Sequence, residues 1–154
     1  IAEKENSTIR QEKKEDGKVV TISGAGEATV TDIGLYNQKG EKVEFANVGN
    51  DVELRVKIKV NSFVENLVLG IMIRDRLGQT LFGVTTQEYD INMININSGE
   101  CITLIYNFVA TFGVGSYSIS TALAKGKQHI EGNYEWKDLA LTFDVVNLNK
   151  KDKI

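Results

Sequence analysis

Nucleophilic catalysis has one candidate pair in this chain, Cys101 and His129, because the sequence contains a single cysteine and a single histidine. A Cys–His pair needs a third group that orients the imidazole, and none is evident near either residue. A zinc site needs three or four Cys, His or carboxylate ligands close together. A chain with one cysteine and one histidine does not favour such a site. We interpret the two residues as unrelated, and a single cysteine excludes a disulfide within the chain.

Side chains with carboxylate or amide oxygens are more abundant in this chain than cysteine and histidine. Calcium needs several converging oxygens, and the stretch DINMININ supplies four candidate side chains: Asp90, Asn92, Asn95 and Asn97. The first two fall on the opposite strand phase from the last two, so turn residues are the favoured interpretation and calcium is the alternative.

Glycoside hydrolysis requires two carboxyl groups across the scissile bond. So many pairs can be drawn that none is informative, and surface charge is the default for each member: Glu27, Asp32, Glu88, Asp90, Glu131, Glu135 and Asp144. No G-x-x-x-x-G-K-[ST] occurs, so the chain lacks a P-loop. The glycine-rich stretch 23–28 (SGAGEA) lacks the lysine and a following helix pattern. The sequence therefore predicts no enzyme active site, no metal and no cofactor.

The length and net charge of the chain restrict the class of protein to which it can belong. The 154 residues suffice for one domain with a real core. Eighteen basic and 21 acidic residues give a net charge of −3, which argues against nucleic acid. No signal peptide and no apolar run of about 18 residues is seen. The chain begins at Ile1, so we expect an excised fragment, and the lone cysteine fits a cytoplasmic setting.

An alternation with period two runs through the chain from Val19 onward, as expected for strands with one buried face. The stretch 51–60 (DVELRVKIKV) shows it most clearly. The residues predicted to face inward are Ala28, Val30, Val52, Leu54, Val56, Ile58, Val60, Ile102, Leu104, Tyr106, Phe108, Tyr117, Ile119, Thr121, Leu123, Leu139, Leu141, Phe143 and Val145. Glycine and asparagine turns separate the runs. These patterns predict an all-β fold, an antiparallel β-sandwich of immunoglobulin-like or jelly-roll type.

The stretch 70–87 (GIMIRDRLGQTLFGVTTQ) reads as a central strand, a reversal and a returning strand. Its charged cluster, Arg74, Asp75 and Arg76, is most simply the polar corner of that hairpin. The outer face of the 116–123 strand is small: Ser116, Ser118, Ser120 and Ala122.

Three segments divide the chain. More than half of residues 1–18 are charged, without an apolar period, so we predict a solvated linker or a frayed helix there. Residues 19–148 form the predicted sandwich, and 149–154 form a Lys-rich tail.

A sheet that is buried on one side leaves a polar face, and such a face suits sugars. Their C–H faces stack on aromatic rings while amides, carboxylates and guanidinium groups bridge hydroxyls. The candidates lie in three regions: Glu27, Thr29, Thr31, Tyr36, Asn37 and Gln38; Gln128, His129, Asn133, Tyr134 and Trp136; and Thr85, Thr86 and Gln87. Each has a structural alternative, since a lone Trp is often a core residue and Tyr36 is a candidate strand-end packer.

Several motifs together resemble one family. GAGEATVTDIGLYNQKGEKVEFANVGNDVELRVKIKVN, LGIMIRDRLGQTLFGVTTQ, SGECITLIYNF, GVGSYSISTAL and LALTFDVVN occur in the family's order over about residues 20–147. They resemble the C-terminal domain of the ATP-binding subunit, Wzt, of O-antigen polysaccharide ABC exporters. The most specific pieces are G-x-G-x-A-x-V-T-D and I-R-D-R-x-G-x-x-L-F-G-x-T-T, and neither is a catalytic motif.

The resemblance implies a non-catalytic domain that follows an ATPase domain, at the cytoplasmic face of the inner membrane. Its ligand would be the non-reducing end of a lipid-linked O-polysaccharide, which often carries a terminal cap, and cap recognition would license export. The partners implied are the exporter's transmembrane subunit and a second copy of the chain, joined by exchange of the C-terminal strand (LALTFDVV).

The resemblance also places binding on the outer face of one sheet. It favours Thr29 and Gln38, with Glu27, Thr31 and Tyr36 as neighbours. Since Thr29 stands where the family can place an aromatic residue, a stacking ring must come from elsewhere, with Trp136 as the candidate. Two rival functions stay open: a dimerisation or scaffold module, and a polysaccharide-modifying domain.

Overall fold

The computed structural model describes residues 8–13, 19–126 and 134–148. These residues form twelve strands: β1 Thr8–Lys13, β2 Val19–Gly24, β3 Ala28–Tyr36, β4 Lys42–Val43, β5 Phe45–Asn47, β6 Asp51–Val60, β7 Val64–Asp75, β8 Thr80–Thr85, β9 Met93–Ile96, β10 Cys101–Val109, β11 Gly115–Ala124 and β12 Glu135–Val146. A short 3-10 helix covers Thr86–Tyr89. Among the described residues no helix is long and apolar enough to cross a membrane.

The strands form two sheets that pack face to face. The larger sheet has the order β1-β2-β12-β11-β7-β8, with β5 added at β12 and β9 at β7. The smaller sheet has the order β10-β6-β3-β4. Pairing is antiparallel except for the short β5–β12 ladder. The predicted antiparallel β-sandwich is confirmed. In the part of the chain that the structure describes, no third layer covers the far side of the smaller sheet.

The core follows the predicted alternation. In β6 every second side chain is buried: Val52, Leu54, Val56, Ile58 and Val60. The facing residues of β10, Ile102, Leu104, Tyr106 and Phe108, are half-buried and pack against that core. Hydrophobic burial between the sheets therefore fixes which side of β6 and β10 faces solvent.

One inward prediction is wrong. Leu139 is 40% exposed because β12 contains a bulge, which shifts the β11–β12 register between Ile119 and Thr121. Three β12 residues, 138–140, lie opposite the single residue Ser120 of β11; Leu139 adopts a φ of 52°, and Ala140 enters the core in its place. The irregularity reverses the side-chain alternation only locally, since Phe143 and Val145 face inward as predicted, and no periodicity argument could have located it.

The charged hairpin corner is confirmed only in part. Asp75 ends β7, and its Oδ1 accepts hydrogen bonds from the backbone N–H groups of Leu77 and Gln79, both at 2.9 Å. Arg76 lies exposed in this turn. Arg74, however, belongs to the ladder, and its guanidinium contacts Asp138 of β12.

The N-terminal segment differs from its interpretation as a linker or frayed helix. Thr8–Lys13 form an edge strand that pairs with β2. Backbone pairing at a sheet edge does not require an apolar face, and charged residues are common there. A connection through 1–18 to an upstream ATPase domain stays a prediction, and the tail 149–154 lies outside the described residues.

Candidate functional site

The outer face of the four-stranded sheet is an array of polar side chains set by strand register. Tyr36 of β3 lies opposite Glu53 of β6, which lies opposite Asn107 of β10. The next row contains Gly34, Arg55 and Ile105. Exposed members of this face are Lys57, Lys59, Thr103, Ile105 and Asn107. A ligand can therefore reach this face from solvent.

A pocket of about 510 Å³ lies at one end of this face. Its walls come from the β3–β4 turn, the first half of β6 and the last residues of β10: Asn37, Gln38, Gly40, Asp51, Val52, Glu53, Arg55, Asn107, Phe108 and Val109. We call it the Gln38 pocket. It combines amide, carboxylate and guanidinium groups with an apolar wall, which is the mixture that sugars require.

The turn that carries Gln38 is held by Asn37. The Asn37 Oδ1 accepts hydrogen bonds from the N–H groups of Lys39 and Glu41, both at 3.0 Å, and Gly40 completes the turn with φ of 78°. The Gln38 Nε2 donates to Asp51 Oδ2 at 3.1 Å. Gln38 itself is exposed, so a preordered amide stands at the rim of the pocket.

Among the described residues, Arg55 is the one arginine that lines the pocket. Its guanidinium carbon lies 3.9 Å from the centre of the Tyr36 ring, and its Nε donates to a Glu53 carboxylate oxygen. Stacking and ion pairing fix the plane of the guanidinium. The terminal amino groups of Arg55 have no partner among the described residues, so they remain able to donate to hydroxyls.

The opposite end of β3 is occupied by the protein itself. Among the described strands, only the short β4 pairs with the edge of β3 that faces away from β6, and β12 places two buried side chains beside the rest of that edge. Glu135, 2% exposed, accepts from the N–H of Val30 at 2.9 Å and from the Thr29 hydroxyl. Lys137 donates to the Val30 carbonyl at 2.7 Å. The sequence predicts surface charge for Glu135, and that prediction is wrong because the side chain is buried.

The remaining predicted site residues are dispersed. Thr31 sits at a bulge in β3 and donates to the Lys57 carbonyl at 3.3 Å. Glu27 precedes β3, and its buried Oε1 has no partner among the described side chains and backbone. Burial first, and then the charges of Glu27 and Glu65, raise the pKa of Tyr134. Neither Glu27 nor Thr31 lines the Gln38 pocket.

Trp136 lies on the other sheet. It pairs with Ala122 and Ser23 and is half-buried on the outer side of the larger sheet. Tyr134 is buried instead and donates its hydroxyl to the Asn66 carbonyl at 2.9 Å. Gln128, His129 and Asn133 lie outside the described residues. In the third predicted region, the buried Thr86 hydroxyl accepts from the Leu69 N–H at 3.2 Å.

A second pocket, of about 300 Å³, lies between the sheets beside β8 and β10. Its walls are mostly aliphatic and aromatic, among them Leu69, Val84, Leu104 and Tyr106. Burial, the hydrogen bond to Tyr89 and the nearby Tyr89 and Glu88 charges raise the pKa of Tyr106 to about 12. Its polar lining residues are Thr85, Thr86, Tyr89, Tyr106 and Asn107. None of the described residues that line it is charged.

Within 8–13, 19–126 and 134–148, no three His, Cys, Asp or Glu side chains are grouped so that they could hold a metal ion. The stretch DINMININ, for which the sequence favours turn residues over calcium, contains Asp90 at the C-terminal end of the 3-10 helix and Asn95 within β9, both with positive φ, which Asp and Asn adopt more often than most residues.

Sequence reasoning missed Asp51, Arg55 and Asn107. All three lie on the predicted solvent-facing side of their strands, where charged and polar side chains are expected in any case. Their common location became visible only through the β3–β6–β10 register. No local motif specifies that register.

Comparisons with known proteins agree with this fold. The Wzt C-terminal domain model matches residues 19–153. A crystal structure of the C-terminal domain of Wzt superposes with a TM-score of 0.71 at 16% identity, covering 86% of this chain and 87% of that one. A Niemann-Pick type C2 protein from Japanese carpenter ant gives 0.54 at 12% identity, covering 80% and 96%. Among curated protein sequences, none matches this chain significantly.

Proposed function

This chain belongs to the Wzt C-terminal domain family, and on that premise we propose that it binds the capped, non-reducing end of a lipid-linked O-antigen polysaccharide in the Gln38 pocket, without altering it chemically. Family membership supports a carbohydrate-binding role in O-antigen export. The observation that carries the site assignment is the exposed Gln38 amide beside the stacked Arg55 guanidinium, in a pocket large enough for a sugar ring.

The groups in the pocket suit a terminal sugar. The Arg55 amino groups donate to hydroxyl or anionic cap oxygens, Asp51 and Glu53 accept from hydroxyls, and Gln38 can do either. The apolar wall of Phe108 and Val109 covers a C–H face. Hydrogen bonds to hydroxyls replace bonds to water, so we expect affinities of about micromolar to millimolar.

Export coupling and assembly are further parts of the proposal. The domain is connected to an ATPase domain, acts at the cytoplasmic face of the inner membrane with the exporter's transmembrane subunit, and forms a homodimer. Exchange of β12 between two copies would preserve its ladder with β11, since an exchanged strand makes the same contacts in the partner. A two-fold dimer would also present two Gln38 pockets to one polymer and raise its effective affinity.

The test compares O-polysaccharides that differ only in the terminal modification, titrated into the full chain and followed by calorimetry. We expect selective binding of one cap and a roughly three- to tenfold weaker affinity in Gln38→Ala, as expected for loss of one hydrogen-bonding group. Gln79→Ala is the matched control, because Gln79 is an exposed glutamine in the β7–β8 turn.

Other outcomes identify the rival functions. Equal affinity for uncapped polymer would remove the cap from the proposal. New reducing ends after incubation would indicate a polysaccharide-modifying domain. Absence of binding at millimolar concentration would leave a dimerisation or scaffold module.

A further inference from the structure

The outer face of the larger sheet carries a second group of polar and aromatic residues. Outward side chains of β7, β11 and β12 meet there: Arg74 lies opposite Ser118, and Trp136 lies opposite Ala122. Hydroxyl groups of Ser116, Ser118, Ser120 and Thr142 continue along the same strands. At about 3.4 Å per residue this stripe is roughly 20 Å long.

Asp138 is the centre of this group. Its Oδ1 accepts from Arg74 Nη1 at 3.1 Å, from Ser120 Oγ at 2.7 Å and from the Leu139 N–H at 3.1 Å. The Arg74 guanidinium carbon also lies 5.9 Å from the centre of the Trp136 ring. Carboxylate, guanidinium and indole are therefore held side by side in fixed orientations.

The cluster is anchored on one side and open on the other. Ser120 is only 1% exposed, whereas the side chain of Asp138 is 41% exposed and that of Arg74 is 26% exposed. Asp138 Oδ1 accepts all three of these hydrogen bonds, and the partly exposed Asp138 and Arg74 side chains lie next to a half-buried indole. An apolar plate flanked by a planar acceptor and a planar donor suits a pyranose ring.

The β12 bulge supplies an independent argument. It lies at Asp138 and Leu139, and Leu139 adopts a positive φ that favours glycine. The bulge places Asp138 opposite Ser120 of β11, where its carboxylate contacts Arg74. Bulges recur next to functional sites, where they re-aim one side chain.

We propose that Trp136, Arg74 and Asp138 form a second carbohydrate contact, which binds sugar rings within the polysaccharide chain on the sheet opposite the Gln38 pocket. This inference rests on the proposed function, because it assumes that the polysaccharide is the ligand. The first contact binds the chain terminus, and the exposed or half-buried hydroxyl residues Ser116, Ser118 and Thr142 lie along the repeating interior. Its affinity does not depend on the cap.

The experiment uses intrinsic fluorescence, because Trp136 is the only tryptophan. The full chain is titrated with lipid-free O-polysaccharide from the cells that produce it, with and without the terminal cap. We expect a saturable emission change for both polymers that persists in Gln38→Ala and needs roughly tenfold more polymer in Asp138→Asn. Arg74→Lys, which keeps the charge but loses the planar fork, is the second variant if Asp138→Asn unfolds.

The outcomes separate the two proposals. Calorimetric binding without any emission change overturns the second contact and leaves the Gln38 pocket standing. An emission change abolished by Gln38→Ala also overturns it, because the Trp136 signal would then depend on the other face. An emission change that persists while calorimetry shows no effect of Gln38→Ala or of the cap supports the second contact alone. Absence of both signals overturns both.

Discussion

The two ends of β3 use similar residues for different purposes. At the first end, the Thr29 hydroxyl and the Val30 peptide group are bonded to Glu135 and Lys137. At the last end, Tyr36 supports Arg55 and the neighbouring Gln38 stays exposed. Polar groups at one end stabilise the fold, and those at the other remain available to a ligand. Residue type alone does not distinguish them, because the difference arises from which strand packs alongside.

The largest expected effect is on stability, from Glu135→Ala. The variant removes the acceptor of two hydrogen bonds at a site that water does not reach, so we expect the free energy of unfolding to fall by about 3 kcal/mol. Chemical denaturation measures the loss. Glu44→Ala, at an exposed position, is the matched control, and an equal loss in both variants would contradict the anchoring role of Glu135.

An intermediate effect is expected from Arg55→Met at the other end. The substitution keeps the length and apolar stem of the side chain but removes every donor, so polysaccharide affinity should fall roughly tenfold. The free energy of unfolding should change by less than about 1 kcal/mol, since the ion pair with Glu53 is partly solvated. Calorimetry and denaturation on the same samples separate these effects, and unchanged affinity would move the ligand away from Arg55.

The smallest effect is expected from Thr29→Val. Loss of the hydroxyl that donates to Glu135 should lower the free energy of unfolding by about 1 kcal/mol and leave polysaccharide affinity unchanged. Thr103→Val, exposed on the same sheet face, controls for the change in side chain. Weaker binding in Thr29→Val would instead support the sequence-based prediction that Thr29 contacts the glycan.

The sequence predicted the layers of this molecule better than its site. Alternation in β6 identified all five buried residues of that strand, because a half-buried strand must alternate. It could not place Arg55 under Tyr36 or Asn107 beside Glu53, since those contacts depend on register between distant strands. The sequence did not predict the burial of Glu135 or the bulge at Leu139 for a related reason. Both depend on contacts with another strand and leave no local signature in the sequence.

The bond between Val30 and Glu135 joins residues 105 positions apart, which has a consequence for how the chain folds. The hydrogen bonding of β3 is completed only when β12 packs beside it. Until then, the Val30 peptide groups are solvated by water. Closure of so long a loop is entropically demanding and slows folding. Ribosomes must therefore release nearly the whole domain before it reaches full cooperativity, and a chain truncated ahead of β12 would expose an unsatisfied edge to other nascent polypeptides.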